Sequence, residues 1–460
     1  MSIQEILAIG YTNPFLMAWL LIINGGWIIT IPMIWHAVWY AFRNWRIGVY
    51  KSGLTYVLLA VDIPKNNEQG PKAVENFFAQ IAGAHGSMTL YEKYWQGRMQ
   101  AYFSLEIVSV AGNIQFLIRT ETKFRDLVEA SIYAQYPDAE IAEVEDYVFD
   151  IPKVFPNETH QLMGTEFTLA NKNYCYPIKT YVDFEDQLSQ EFKDPMAAFM
   201  QTMSSLVPGE QVWFQIVVTP IDHNTWREPC NALMKKLAGQ KAERKKNIWE
   251  SVVEGPAKIV TEAVDQFISG PRGPETKSSA AIDFGALRLS PTDIEHIKAI
   301  DRKISKIAFD VKMRLVYIAT NETYNTAKVV NPLVGALKQY TNLDLNSFKP
   351  DLKKTATRAY YILVKFRKAL RIKKLLSNYR SRHNFKGSGA MKLNIEELAT
   401  VYHFPTIFVK VSTVQQTVSK KYEAPMHVPY DLGGGKVPFR KVKQDELERE
   451  PLPPDDLPMV

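Results

Sequence analysis

The chain has 460 residues, of which 46% are hydrophobic and 23% charged; this balance excludes a disordered protein and allows two or three domains. Its formal net charge of +6 is too small to indicate nucleic-acid binding unless cations cluster locally. The two cysteines, Cys175 and Cys230, lie far apart in the sequence. They favour buried thiols in a reducing compartment over a disulfide-rich secreted scaffold.

The N-terminal region predicts a membrane anchor. Residues 14–42 carry no charged side chain, and about 20 apolar residues are enough to cross a bilayer. A cleaved signal peptide is the alternative, but bulky residues follow this stretch and Glu5 is the one charged residue before it. We therefore predict one uncleaved transmembrane helix over about 14–42. Because Arg43, Arg46 and Lys51 follow it, the positive-inside rule places the N-terminus outside and the main body in the cytoplasm.

The next segment, residues 51–155, predicts a ferredoxin-like domain. Apolar strand patterns and amphipathic helix patterns follow one another in the order β-α-β-β-α-β, which is the split βαβ arrangement. Such a domain buries one face of its sheet under two helices. The predicted elements are a strand at 54–63, a helix at 71–84, a hairpin at 102–110 and 114–119, a helix at 123–136 and a strand at 139–147.

Residues 156–350 predict a second, looser copy of this domain with a helical insertion at about 225–290. The fold class is therefore α+β, with two ferredoxin-like (split βαβ) domains behind an N-terminal anchor of residues 1–50. The predicted elements of the copy are strands at 174–181, 211–219 and 309–319 and helices at 195–206, 291–305 and 324–340, with a helical region at 231–267 inside the insertion.

Residues 351–437 contain a predicted basic helix at 352–380. Nine Lys or Arg and no acidic residue lie between 361 and 390. At about 100° per residue, five cations fall on one side, and phosphates of nucleic acid or of anionic lipid would suit them. A simple solvated face is the alternative. The cations are Arg367, Lys368, Arg371, Lys374 and Arg382, and the side predicted to be buried carries Ile362, Phe366, Ala369, Leu370 and Leu376. Residues 438–460, with five prolines, predict a disordered tail.

The sequence contains no recognisable active site. A phosphate loop is absent, because the glycines at 433–435 lack the motif's first glycine and are followed by Lys436 and Val437. Dinucleotide, zinc-protease, CxxC and serine-hydrolase motifs are absent as well. His296 and His403 are interpreted as packing residues. We therefore predict no catalytic residue, no cofactor and no metal, and a protein that is not an enzyme.

Several segments resemble one bacterial family. LNIEELATVYHFP at 393–405 is similar to a motif just before the motor domain of coupling-protein-like ATPases of type IV secretion and conjugation, which are related to the HerA/FtsK translocases. Segments 103–119, 133–147 and 304–319 resemble parts of the same N-terminal region in the same order. In those proteins an ATPase core follows, whereas this chain ends about 55 residues later without a phosphate loop.

The resemblance implies a non-catalytic component of a DNA-translocation-like machine at the bacterial inner membrane. It would act as a scaffold or docking subunit for a separate phosphate-loop ATPase or other secretion subunits, with the lipid bilayer as a further partner. Sheet edges could pair in a homo-oligomer. The expected docking residues are Leu393, Glu396, Glu397, Leu398, His403, Phe404 and Pro405; a cap on the chain's own second domain is the alternative. The alternative function is a membrane-tethered DNA-binding protein that uses the basic helix.

Overall fold

The computed structural model describes residues 14–21, 23, 27–64, 67–184, 194–239, 290–359, 361 and 363–405. The strands are β1 (Tyr56–Asp62), β2 (Phe103–Val110), β3 (Asn113–Glu121), β4 (Glu140–Glu143), β5 (His160–Leu169), β6 (Glu210–Pro220), β7 (Ala308–Thr320), β8 (Phe348–Pro350) and β9 (Met391–Asn394). The α-helices are α1 (Pro14–Leu21), α2 (Trp27–Ser52), α3 (Pro71–Ile81), α4 (Arg125–Tyr133), α5 (Ala197–Ser204), α6 (His223–Leu237), α7 (Pro291–Ile304), α8 (Thr326–Leu337), α9 (Val364–Arg380) and α10 (Ile395–Val401).

The strands form one large antiparallel sheet, so the predicted α+β class is confirmed. Eight strands lie in the order β4-β1-β3-β2-β6-β7-β5-β8, and β9 pairs with β7. The order β4-β1-β3-β2 recurs as β8-β5-β7-β6 when the second set is read from its outer edge. The two sets meet where β2 pairs with β6, from Phe103 opposite Val218 to Val110 opposite Gln211. The sheet therefore continues unbroken past the predicted boundary at residue 155.

Five of the ten described α-helices cover one face of this sheet. Alternate residues of the strands point to this face, as the two-residue period of a strand requires. They pack against α3, α4, α5, α8 and α10 in one core that includes Leu59, Phe116, Phe214 and Tyr317. Because one continuous core draws on strands of both sets, the two halves are packed as one unit.

The opposite face is buried as well, which the sequence did not predict. Helix α9 lies across it through Ile372, Leu375, Leu376 and Tyr379, and the segment 144–155 covers the rest. The strands are therefore buried on both sides in the middle of the sheet, which accounts for near-continuous apolar runs such as VWFQIVV in β6.

Two predicted elements are wrong. No strand forms at 174–181; the strand that begins the second set is β5, whose Gly164 and Glu166 break the apolar pattern. A Cβ at Gly164 would lie 2.6 Å from Leu375 Cδ2, so α9 needs this glycine to approach the sheet. The basic helix begins at Val364 rather than near 352, because residues before it turn back to hydrogen bond with β5, for example Thr357 N to Gly164 O.

The predicted transmembrane helix over 14–42 is not supported. Among the described residues, no helix combines the length and the apolar character that crossing a bilayer requires. α1 has eight residues, and the second half of α2 carries Arg43, Arg46 and Lys51. The predicted insertion spans about 225–290, and its residues 240–289 lie outside the described residues, as do the glycines at 433–435 and the predicted tail at 438–460.

Candidate functional site

The segment predicted to dock a partner is buried inside the chain. β9 pairs with β7 from Asn394 opposite Ala308 to Met391 opposite Val311, and α10 then packs against α3. Of the seven predicted docking residues, Pro405 alone is partly exposed, while Leu393, Glu396, Glu397, Leu398, His403 and Phe404 are buried. These side chains are not available to a partner in this structure. The alternative prediction is a cap on the chain's own second domain; β9 does pair with β7 of the second strand set, but α10 packs on α3, which follows β1 of the first set.

Buried carboxylates fix the start of α10. The Asn394 side chain accepts a hydrogen bond from Glu397 N while the Glu397 carboxylate accepts one from Asn394 N, which is a capping box. Glu397 also pairs with Lys303, and both side chains are fully buried. Glu396 contacts Arg302 and Lys306 at 2.6 Å each. Each charge is thus compensated by a partner, as burial requires.

The end of this segment joins both halves of the sheet. His403 Nε2 lies 2.9 Å from an oxygen of Asp194, and Phe404 packs on Phe116 and Tyr136. Burial alone would raise the pKa of Asp194, but His403 and two backbone amides hold it below its ordinary value. His403 is therefore a packed structural residue, as the sequence predicted.

The basic helix α9 is arranged differently from the prediction. Arg382 lies beyond the end of the helix and is completely buried, so it offers no charge to a ligand. Arg367 and Lys374 are exposed, and Lys368 and Arg371 are half-buried. Phe366 and Leu370, predicted to be buried, are 61% and 50% exposed. The first half of α9 thus shows both cations and apolar side chains to its surroundings.

A row of buried polar side chains crosses four neighbouring strands beneath α9. Glu106 on β2 lies opposite Gln215 on β6, Gln215 opposite Arg314 on β7, and Arg314 opposite Glu166 on β5. Each neighbour hydrogen bonds to the next at 2.9 to 3.0 Å. Arg382 closes one end by donating to Glu106 at 2.9 and 3.1 Å. No sequence motif marks this row, because its members are brought together only by strand pairing.

The row is a structural network rather than a reactive centre. Burial alone would raise the pKa of Glu106, but Arg382, Ser104 and Tyr147 hold it below its ordinary value. Burial raises the pKa of Tyr147 and of Tyr379, whose hydroxyls lie 2.8 Å apart. Each Glu106 oxygen receives hydrogen bonds from several donors, so neither is free to accept a proton from a substrate.

A cleft of about 210 Å³ opens beside α9 and carries mainly positive charge. Lys354, Arg371 and Lys374 line it, with Thr355 and Asn378 among its polar walls. Glu166 lies at its base but is already bound to Arg314 and to Ser388 N. The cleft can hold an anionic group, and it lacks a free nucleophile paired with a base. The sequence prediction found two of its three cations and missed Lys354, which precedes the helix.

A second cationic group lies where α2 meets the body. Lys51, Arg119 and Lys386 are close enough to repel one another; burial and then these neighbours lower the pKa of Lys51. Burial, together with Lys51, Lys386, Arg314 and Lys312, lowers the pKa of His383 to about 3. These residues come from four distant parts of the chain, so only the folded structure shows the cluster.

An aromatic surface surrounds the second half of α2. Residues 88–97, here called the aromatic segment, pack on this helix through Tyr94 against Trp39 and Trp95 against Phe42. Arg46 Nε donates to Trp95 O at 2.5 Å. Gly97, with a φ of +72°, allows close contact, since a Cβ there would lie 2.5 Å from the Arg46 backbone. The segment leaves Leu90, Tyr91 and Trp95 exposed, next to exposed Trp35, Trp39, Tyr40 and Trp45 on α2.

No group of three or more His, Cys, Asp or Glu in the described part of the chain is placed to hold a metal ion.

A family model described as Domain of unknown function (DUF8128) matches residues 57–417, which is more than half of the chain. No curated protein matches the chain.

Proposed function

The chain belongs to the DUF8128 family, a domain of unknown function, and we propose that it is a membrane-attached, non-catalytic scaffold of a DNA-translocation-like machine. The resemblance of its segments to the N-terminal regions of coupling-protein-like ATPases supports this role. In the proposal the motor is a separate phosphate-loop ATPase, and the chain itself hydrolyses no ATP. The repeated strand order supports two ferredoxin-like units fused edge to edge, the second carrying the helical insertion.

Membrane attachment is carried by one observation, the exposed apolar surface of α1, α2 and the aromatic segment. Isolated exposed apolar residues are ordinary, but a contiguous group rimmed by polar residues marks an interaction site. Here eight of the seventeen exposed large apolar side chains are Trp or Tyr, and Arg43, Arg46 and Lys93 belong to the same elements, which is the composition that proteins use at the level of lipid headgroups. We propose the cytoplasmic leaflet of the bacterial inner membrane as the lipid surface, because its anionic lipids attract these cations.

Vesicle flotation tests the attachment. The full chain should float with phosphatidylcholine vesicles containing about one third phosphatidylglycerol, and less with phosphatidylcholine alone. Trp35→Glu together with Trp39→Glu should reduce flotation at least about tenfold, because a charge at lipid depth costs about 2.5–3.5 kcal/mol. Leu343→Glu is the matched control, since Leu343 is 94% exposed and remote from this surface. Equal loss in both variants, or no loss in either, would refute attachment through α2.

The partner surface in this proposal is the first half of α9 rather than residues 393–405. Exposed Phe366 and Leu370 beside Lys365 and Lys374 suit an acidic protein surface with apolar positions. Co-purification from detergent with a phosphate-loop ATPase, the proposed partner class, should be abolished by Lys365→Glu with Lys374→Glu. The same reversals at Lys328 and Lys338, on the opposite face of the sheet, should leave it intact. ATP hydrolysis by the purified chain alone would contradict the scaffold role.

DNA binding through α9 is the second candidate, and the absence of any acidic residue in this helix favours it. Binding to phosphates releases counterions, so the affinity should fall steeply as salt rises. A DNA titration at two salt concentrations, with the native chain and with the Lys365→Glu, Lys374→Glu variant, tests this candidate. An affinity unchanged by these reversals excludes α9 as the DNA contact.

A further inference from the structure

The two cysteines of the chain meet in the fold. Cys230 Sγ lies 2.6 Å from Cys175 Sγ, although 55 positions separate them in the sequence. Atoms that are not bonded approach to about 3.5–4.0 Å, and a disulfide bond measures about 2.05 Å. The two sulfurs are therefore inside non-bonded contact and are already aimed at each other.

The pair sits in a small core of its own. Trp226, Ile300, Ile304 and Ala308 surround the two sulfurs, and both cysteines are buried. Cys230 lies on α6 and Cys175 in the loop after β5, so a bond between them ties α6 to the edge of the second strand set. Neither residue takes part in the membrane surface or in the surface of α9.

We propose that Cys175 and Cys230 are a redox site that forms a reversible intramolecular disulfide. The oxidant is a hydroperoxide, which is small enough to reach buried sulfur during local opening. With hydrogen peroxide, one thiolate attacks an oxygen, the O–O bond breaks, and a sulfenic acid and hydroxide form; protonated hydroxide leaves as water. The second thiol then displaces the sulfenic hydroxyl as water. Two thiols and one peroxide give one disulfide and two waters, and a dithiol reductant reverses the change by exchange.

The surroundings favour a thiolate at this pair. The two sulfurs share one hydrogen bond, and the Lys303 ammonium acts on both of them in the direction that lowers the pKa of a thiol. Either sulfur can attack the peroxide, and the other then resolves the sulfenic acid.

Thiol counting on the full chain in detergent tests the proposal. The sequence has two cysteines, so maleimide labels after denaturation count the free thiols directly. The dithiothreitol-treated chain should take two labels. The peroxide-treated chain should take none, show the loss of two hydrogen atoms in its intact mass, and regain both labels after reduction. Two labels after a peroxide exposure that fully oxidises glutathione would overturn the proposal.

Variants distinguish an internal bond from other oxidation. In Cys175→Ser and in Cys230→Ser, the remaining cysteine has no resolving partner, so its oxidation should stop at the sulfenic acid, which a dimedone probe traps. The melting temperature of the native chain should rise on oxidation, and that of either variant should not. A covalent dimer on a non-reducing gel, in place of the internal bond, would also refute the site; neither outcome depends on lipid or partner binding.

Discussion

Arg382 illustrates how a residue's position, not its type, decides its role. Counted along an ideal helix it falls on the cationic side of α9, but the helix ends at Arg380 and Arg382 takes a φ of +46°. The chain therefore turns back beneath the helix, and the guanidinium meets Glu106 and Asp146 inside the sheet. A periodicity argument fails two residues beyond the end of the element to which it applies.

Replacing Arg382 should destabilise the whole chain. Arg382→Met keeps much of the apolar stem but leaves Glu106 buried without its cation, a change that costs about 3–5 kcal/mol. We expect a matching fall in the free energy of unfolding, measured by urea titration. Lys365→Met removes an exposed cation from the same region and should cost less than about 0.5 kcal/mol. Similar midpoints for the two variants would mean that the buried ion pair is not formed.

Substitution of Gly387 should destabilise the chain, whereas substitution of the nearby Gly389 should be tolerated. Gly387 has a φ of +100°, and a Cβ there would lie 2.2 Å from both Glu166 carboxylate oxygens. A Cβ added at Gly389 would meet no atom within 4 Å, and this residue has no such backbone constraint. Gly387→Ala should therefore lower the free energy of unfolding by more than about 1 kcal/mol, whereas Gly389→Ala should be neutral or slightly stabilising. Thermal melts of the two variants side by side provide the measurement, and the reverse ranking would contradict the packing of this loop.

At the scale of elements, the capping box of α10 should contribute more than an ordinary helix cap. Asn394 and Asn325 are both N-cap residues whose side chains accept a backbone hydrogen bond. Asn394 is buried and also donates to Lys303 O, whereas Asn325 is exposed. Asn325→Ala should cost about 1 kcal/mol. Asn394→Ala should cost about 1–3 kcal/mol more, because buried groups lose their partners. Chemical denaturation of both variants tests this, and equal costs would count against it.

Elements with a strong local pattern were predictable from sequence, and their packing partners were not. The strand and helix at 391–401, separated at Asn394, carry strong local signals, because strand propensity and a capping box both lie within the segment. Their burial against β7 and α3 depends on contacts that are distant in sequence. β5 was missed for a related reason: Gly164 and Glu166 serve α9 and Arg314, so they break the pattern that would have identified the strand.

At the scale of the whole molecule, the two strand sets behave as one structure. They share the β2–β6 pairing, one helical core and the polar row from Glu106 to Glu166. Lys306 adds a bridge, since it binds Glu75 on α3 and Glu396 on α10. Edge-to-edge pairing leaves no periodic trace in either strand, so the sequence predicted two copies without their fusion into one sheet. We expect both sets to unfold together.

Acid should destabilise this shared structure, and four carboxylates determine the direction in which its stability changes with pH. The pKa values of Glu75, Glu106, Asp194 and Asp351 lie below their ordinary range, because bound cations and hydrogen-bond donors outweigh the opposing effect of burial. In the unfolded chain such groups titrate near about pH 4. Their contribution to stability is complete above that pH and is lost as the pH falls through the lower folded-state values.

His383 should add a loss of stability that begins at a higher pH than the loss caused by the carboxylates. Its folded pKa of about 3 lies below the value of about 6.5 for an unfolded histidine, so between these values only the unfolded chain binds the proton. Stability should therefore fall as the pH drops from about 6.5, before the carboxylates titrate. His383→Asn should remove this loss, because an amide oxygen can still accept from Phe385 N and Lys386 N, as Nδ1 does, and does not titrate. As the pH is lowered from about 7 to about 5, the urea midpoint should fall for the native chain and for the exposed control His85→Asn. The midpoint of His383→Asn should stay level. Parallel curves for all three would show that His383 is not held neutral by its cationic surroundings.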